Sequence, residues 1–244
     1  MTVPPLEFIE APSPNFDART APPEILVLHY TGMKTGPEAL DRLRDPKAKV
    51  SSHYMVEEDG RIFRLVPEER RAWHAGVSYW KGARNINGVS IGVEIVNPGH
   101  EFGYRPFPDA QIAAVIALVA DIRSRWQIRD DRIVGHSDVA PARKDDPGEL
   151  FPWKRIAEAG HGLWVDAQPA PGEPLAEGAE GVGVFALQAG FTRLGYDLPP
   201  SAKFDAATKA VVVAFQQHWR QDKVDGVADG KTRAQLMALL RLAG

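Results

Sequence analysis

The stretch EILVLHY, residues 24–30, decides the fold. From Ile25 to Leu28 it is unbroken apolar sequence, the pattern of a short strand buried on both faces, and it closes on His29. Downstream, HYMVEEDGRIFRLV (53–66) reads as two β-prone runs around Asp59-Gly60, a hairpin signal. SIGVEIV (90–96) alternates, with Ile91, Val93 and Ile95 on one face and Glu94 on the other. PDAQIAAVIALVADIRSRW (108–126) spaces Ile112, Val115, Ile116, Val119, Ile122 and Trp126 as an amphipathic helix entered through Pro108-Asp109. RIVGH (132–136) is a further brief apolar run. Strands interleaved with helices predict an α/β or α+β domain around a central sheet.

The chain of 244 residues has room for that domain and a smaller one. Between 167 and 180 the composition turns to AQPAPGEPLAEGAE, a linker composition expected to pack poorly. This divides the chain into a first domain over 1–166, a linker over 167–180 and a second domain over 181–244. The second reads as three helices, with stripes Leu187/Phe191/Leu194, Val211/Val212/Phe215/Trp219 and Leu236/Leu239/Leu240. Asp205-x-x-Thr208 and Asp229-x-x-Thr232 supply N-caps for the second and third. His218 lies within one of these helices and is expected at its surface or boundary.

Net charge is −3, which gives no support to binding of nucleic acid or an anionic membrane, since either would want a basic surplus. No apolar run approaches the ~18 residues of a membrane span. The opening MTVPPLEFIEAPSPNF lacks a basic n-region and an apolar h-region, so as written the expectation is cytoplasmic, or the periplasm or cell envelope had a signal been removed.

There is no cysteine, which excludes thiolate metal sites and a cysteine nucleophile. Any metal must be held by histidine, carboxylate or water. Of the seven histidines, His29 and His136 each end an apolar run, where rigid strands fix the aim of an imidazole. Taken alone, such histidines are more often structural. The segment beyond His136 changes that: VGHSDVAPARKDDPG (134–148) carries Asp138, Asp145 and Asp146 on a stretch whose prolines bar a regular helix or a central strand. Three protein ligands and one open position make a hydrolytic zinc site. Spacing leaves all three aspartates open as the third ligand, with Asp138 the least attractive because one residue separates it from His136.

Lys144 is either solvated or placed to stabilise an oxyanion. Glu94 is either the wet face of a strand or a general base beside a metal. RAWHAG (71–76) offers Trp73 and His74, a pair suited to gripping sugar or peptide, though aromatics are usually core. G-x-S-x-G, G-x-G-x-x-G after a strand, and P-loop patterns are missing.

Four ordered motifs carry a resemblance: ILVLHYTG, SSHYMVEEDGRIFRLV, RAWHAGVSYWKGARNINGVSIGVEIVNPG and GHSDVAPARKDDPG. Over about residues 5–165 the chain resembles the zinc-dependent N-acetylmuramoyl-L-alanine amidases, whose fold is shared with peptidoglycan recognition proteins. The resemblance implies an α/β fold, a central mixed sheet flanked by helices. The C-terminal part looks like the three-helix peptidoglycan-binding module often attached to them. It further implies that His29, His136 and Asp146 bind Zn2+, that Glu94 is the catalytic carboxylate and that Lys144 stabilises the oxyanion. Trp73, His74 and Asn85 fall in segments that line the family's substrate groove; Asp138 and Asp145 become supporting or solvated groups.

The implied reaction cleaves the amide between N-acetylmuramic acid, or its 1,6-anhydro form, and L-alanine of the stem peptide. Family members that only recognise peptidoglycan have lost zinc ligands, whereas all three positions are filled here. A non-catalytic binder and a metallopeptidase acting within the stem peptide are the alternatives. The expected partners are muropeptides or peptidoglycan fragments, with no nucleic acid and a monomeric chain. The helical module is expected either to bind soluble muropeptide or to cover the groove.

Overall fold

The computed structural model describes residues 6–243; the ends of the expected domain bounds, 1–5 and 244, lie outside the described residues. The strands in chain order are β1 (Phe8–Glu10), β2 (Phe16–Ala18), β3 (Ile25–Tyr30), β4 (Tyr54–Val56), β5 (Ile62–Arg64), β6 (Arg70–Ala72), β7 (Ser90–Ile95) and β8 (Ile133–Gly135). Six form one mixed sheet in the order β1-β5-β4-β7-β3-β8, and β2 pairs antiparallel with β6. The apolar run at 25–28 thus becomes an inner strand, parallel to β7 on one side and to β8 on the other. The hairpin appears as β4–β5. Its connection closes at Glu57 and Arg61, with Gly60 at φ 90°, a conformation that costs glycine little.

The helices are α1 (Gly36–Arg44), α2 (Ile86–Val89), α3 (Gly99–Phe102), α4 (Asp109–Arg125), α5 (His136–Val139), α6 (Trp153–Glu158), α7 (Val182–Leu194), α8 (Ala206–Trp219) and α9 (Gly230–Leu242). Alternation divides the side chains of β3 between two cores, and the apolar side chains of β7 all join the first. Leu26, Leu28, Ile91, Val93 and Ile95 pack with Ile112, Val115, Val119 and Ile122 of α4. Ile25, Val27 and Val134 face the other way, into a core they share with Phe191, Phe215 and Leu239 of the three-helix unit. Each such fully buried side chain contributes about 1.5–3 kcal/mol.

α8 and α9 start as expected: Asp205 and Asp229 accept the backbone N–H of Thr208 and Thr232. Three expectations need correction. The segment after Val134 does hold a helical turn, α5, because its first proline comes only at Pro141. The 167–180 stretch is not loose: Leu175 bridges Ala228 and packs on the helical core, while Ala170 donates to Gly230 O at 2.9 Å. His218 is buried rather than superficial, because its face of α8 is the one turned to the sheet domain. Among the described residues no helix is long and apolar enough to cross a membrane.

Candidate metal centre

Parallel strands place their C-terminal ends at one rim, where open α/β sheets bind ligands. His29 lies near that end of β3, Glu94 near that end of β7, and His136 directly follows β8. Asp146 returns to the same point from the loop beyond α5, held there by the Ser137 N–H, which donates to Asp146 O at 2.9 Å. His29 Nδ1 and His136 Nδ1 are 3.0 Å apart, and Asp146 Oδ2 lies 3.0 Å from the first and 3.1 Å from the second. All three residues are buried.

The partners of the far ring atoms decide which nitrogen of each ring carries hydrogen. His136 Nε2 faces the Ala75 carbonyl at 3.1 Å, which can only accept, so Nε2 carries the hydrogen and Nδ1 is bare. For His29 the assignment runs through three residues. The Ser90 hydroxyl donates to Ile86 O at 2.6 Å, so its oxygen accepts from His74 Nε2 at 3.2 Å. His74 Nδ1 is then the acceptor for His29 Nε2–H at 3.0 Å, leaving His29 Nδ1 bare as well. Two nitrogen lone pairs and a carboxylate oxygen therefore converge with nothing among themselves to donate. They repel unless a cation lies between them. A triangle of this size suits an ion bonding at about 2.0–2.1 Å, as zinc does to nitrogen and carboxylate oxygen. The outer hydrogen bonds are those by which proteins fix the tautomer of a metal-binding histidine.

The electrostatics agree with the donor set. Burial, with His136 adjacent, pulls His29 down to about 4, and burial with His29 adjacent puts His74 well below the usual imidazole value. Burial alone would raise Asp146; His136 and His29 hold its carboxyl below the ordinary range only when they carry a proton, and with both rings neutral a cation would have to supply that positive charge. Burial pushes Glu94 well up, the Asp146 charge adds to this, and Lys144 opposes it. Glu94 Oε2 is buried and lacks a hydrogen-bond partner among the described residues. Such an atom is costly unless something outside the chain satisfies it.

A cavity of about 380 Å³ opens over the triangle, lined by Glu94, Lys144, Trp73, His74 and His100 among others. The structure thus gathers His29, His136, Asp146, Glu94, Lys144, Trp73 and His74. Asn85 stands apart: it is exposed at the start of α2 and does not line this cavity. Nor does any residue of α7, α8 or α9 among those described line it.

Four contributors carry roles that the linear sequence does not disclose. Asn87 Oδ1 accepts the N–H groups of His74 and Ala75 at 3.1 and 2.8 Å. Arg143 Nη2 donates to the same Ala75 carbonyl at 2.7 Å that His136 uses. Ser90 ends the hydrogen-bond chain behind His29. Gly92 lets the His74 ring lie on the sheet, since a Cβ there would come within 2.5 Å of His74 Cγ. Only Gly92 carries a signal: a glycine inside a strand marks a close approach.

The family described as N-acetylmuramoyl-L-alanine amidase matches residues 19–149, and that described as putative peptidoglycan binding domain matches 180–236. The chain is 40% identical over 241 residues to the N-acetylmuramoyl-L-alanine amidase AmiD of Escherichia coli K12, covering 91% of this chain and 83% of that protein. It is 37% identical over 163 residues to the 1,6-anhydro-N-acetylmuramyl-L-alanine amidase AmpD of Haemophilus influenzae, covering 59% of this chain and 86% of that one. Its structure superposes with a TM-score of 0.80, over 93% of both chains, on E. coli AmiD in complex with anhydro-N-acetylmuramic acid-L-Ala-D-gamma-Glu-L-Lys. AmpDh3 from Pseudomonas aeruginosa superposes with a TM-score of 0.75 at 33% identity, over 90% of this chain and 92% of that one.

Proposed function

The chain belongs to the N-acetylmuramoyl-L-alanine amidases, and from that premise we propose that His29, His136 and Asp146 hold its zinc ion while Glu94 and Lys144 carry the chemistry. It hydrolyses the amide between N-acetylmuramic acid, or the 1,6-anhydro sugar, and L-alanine of the stem peptide. The observation that carries the ligand assignment is the triangle of three bare donor atoms 3.0–3.1 Å apart.

When bound, zinc supplies Lewis acidity and makes water acidic enough to attack near neutral pH. The residues do the rest. Glu94 stands beside the triangle with one oxygen unsatisfied and its pKa raised, which suits a group that takes a proton from the attacking water. The same carboxyl then returns the proton to the departing α-amine of L-alanine. Lys144 reaches the same cavity and brings positive charge to the carbonyl oxygen as it becomes an oxyanion. Trp73 offers an apolar wall at the cavity for the muramyl or peptide portion. The likeness to AmiD bound to an anhydro-muropeptide supports soluble fragments of that kind as substrates.

The test is mass spectrometry of products from a mixture of anhydro- and intact-N-acetylmuramyl peptides, with metal analysis of the same sample. Release of free L-alanine-led peptide, abolished by a chelator and restored by zinc, is expected. Chelator-insensitive release would sink the metal assignment, and a shortened muropeptide would indicate a different scissile bond.

A further inference from the structure

Asp138 lies two residues beyond His136 on α5, and its side chain is 0% exposed. Its Oδ1 accepts the Tyr196 hydroxyl at 2.7 Å; its Oδ2 accepts His218 Nδ1–H at 2.7 Å and the Gly135 N–H at 2.8 Å. A buried carboxylate is costly without such donors. Two of the three come from the helical unit.

Both donors are themselves confined. The His218 ring stacks on Trp153 at 3.7 Å and on Trp219 at 3.6 Å. The Tyr196 ring meets Trp80 edge-on at 5.0 Å. The return leg of the loop is tied as well: Gln221 Nε2, just past α8, donates to Glu149 O at 2.7 Å and Phe151 O at 2.6 Å. One attachment lies two residues past His136, and the other lies three to five past Asp146.

We propose that the three-helix unit braces the metal-ligating loop, with Asp138 the positioning residue through which Tyr196 and His218 fix His136 relative to Asp146. Because the helical unit lines none of the cavity among the described residues, it acts on the site through the loop. The proposal rests on the ligand assignment made above and adds to it a role for the C-terminal unit that does not involve binding a polymer.

The experiment uses the full chain. Tyr196→Phe removes one oxygen. His218→Phe keeps an aromatic plate between the indoles without the donor, and His218→Asn returns a donor near the Nδ1 position. Zinc affinity is measured by competition with a chromophoric chelator, the cobalt(II) form by its visible spectrum, and kcat and KM on a soluble muropeptide. The donor-deleting variants should bind zinc about tenfold or more weakly, as loss of outer-shell partners commonly does. They should also show shifted cobalt bands and a lower kcat with KM within about twofold, and His218→Asn should recover part of the affinity. Folded variants with wild-type zinc affinity and spectra would overturn the brace. If His218→Phe does not fold, Tyr196→Phe decides alone. A wild type that takes up no zinc overturns the ligand assignment first, and the brace with it.

Discussion

His29 and Glu94 face each other as register partners across the parallel β3–β7 pair. Paired residues on neighbouring strands project to the same side of a sheet. The imidazole proposed to hold the metal and the carboxylate proposed to handle the proton are thereby set side by side on backbone whose hydrogen bonds hold them, rather than on loops that must be ordered separately.

Removing the carboxylate separates chemistry from metal binding. Glu94→Ala should keep zinc and lose turnover by about 10²–10⁴-fold, the usual worth of general acid–base catalysis. Asp146→Ala should lose both, since it takes away a donor of the triangle. Zinc content and kcat measured on the same preparations check this; wild-type turnover in Glu94→Ala would end its assigned role.

The hydrogen-bond chain behind His29 makes a second forecast. Gly92→Ala places a methyl where the His74 ring now lies, 2.5 Å from Cγ, and the ring must move off His29 and Ser90. Zinc should leave this variant and His74→Ala about 10–100-fold more readily than the wild type. Chelator competition gives the number, and unchanged affinity in both variants would show that His74 only touches substrate.

A third concerns pH and the cavity rim. His100 Nε2 lies 3.1 Å from Glu149 Oε2; that hydrogen bond raises His100 and lowers Glu149. A histidine raised on folding stabilises fully below its unfolded pKa of about 6.5, and the contribution fades as pH climbs through the folded value. Glu149, being lowered, stabilises above its unfolded value of about 4.3 and loses this as pH falls through the folded one. Glu149→Gln should therefore melt below wild type by the largest margin near pH 5–6. A partly exposed pair of this kind is worth about 0.2–1 kcal/mol. The margin should close above about pH 8, and a margin that widened there would contradict the assignment.

A fourth concerns truncation. A chain ending at residue 166 uncovers Ile25, Val27, Trp80 and Val134, which share a core with α7–α9. Uncovering even two such side chains costs about 3–6 kcal/mol, on the order of 10 °C in Tm for a domain of this size. Calorimetry of the truncated chain is the check, and an unchanged Tm would mean that the shared core contributes nothing.

Much of this is legible in the sequence. The unbroken run at 25–28 announces an inner strand, the alternation at 90–96 turns Glu94 away from the α4 core, and the two aspartate caps mark helix starts. The hidden part depends on residues distant in sequence. His74 reads as a substrate contact because nothing near it in the chain reveals that Gly92 clears its place or that Ser90 receives its proton. His218 reads as superficial because a polar residue on an amphipathic helix usually is. Its burial depends on Asp138, eighty positions away, and no periodicity reports such a partner. The 167–180 stretch has the composition of a tether, yet Leu175 and Ala179 pack on the helical core and Ala170 donates to Gly230 O.

The core that runs unbroken from Val27 to Phe215 joins the two units into one body. Two units on a flexible tether search a volume set by tether length, and the second engagement is governed by an effective concentration. Here that freedom is gone. A ligand held on α7–α9 would meet the mouth of the cavity from one direction, and which bonds lie within reach would be decided by the dimensions of the molecule itself.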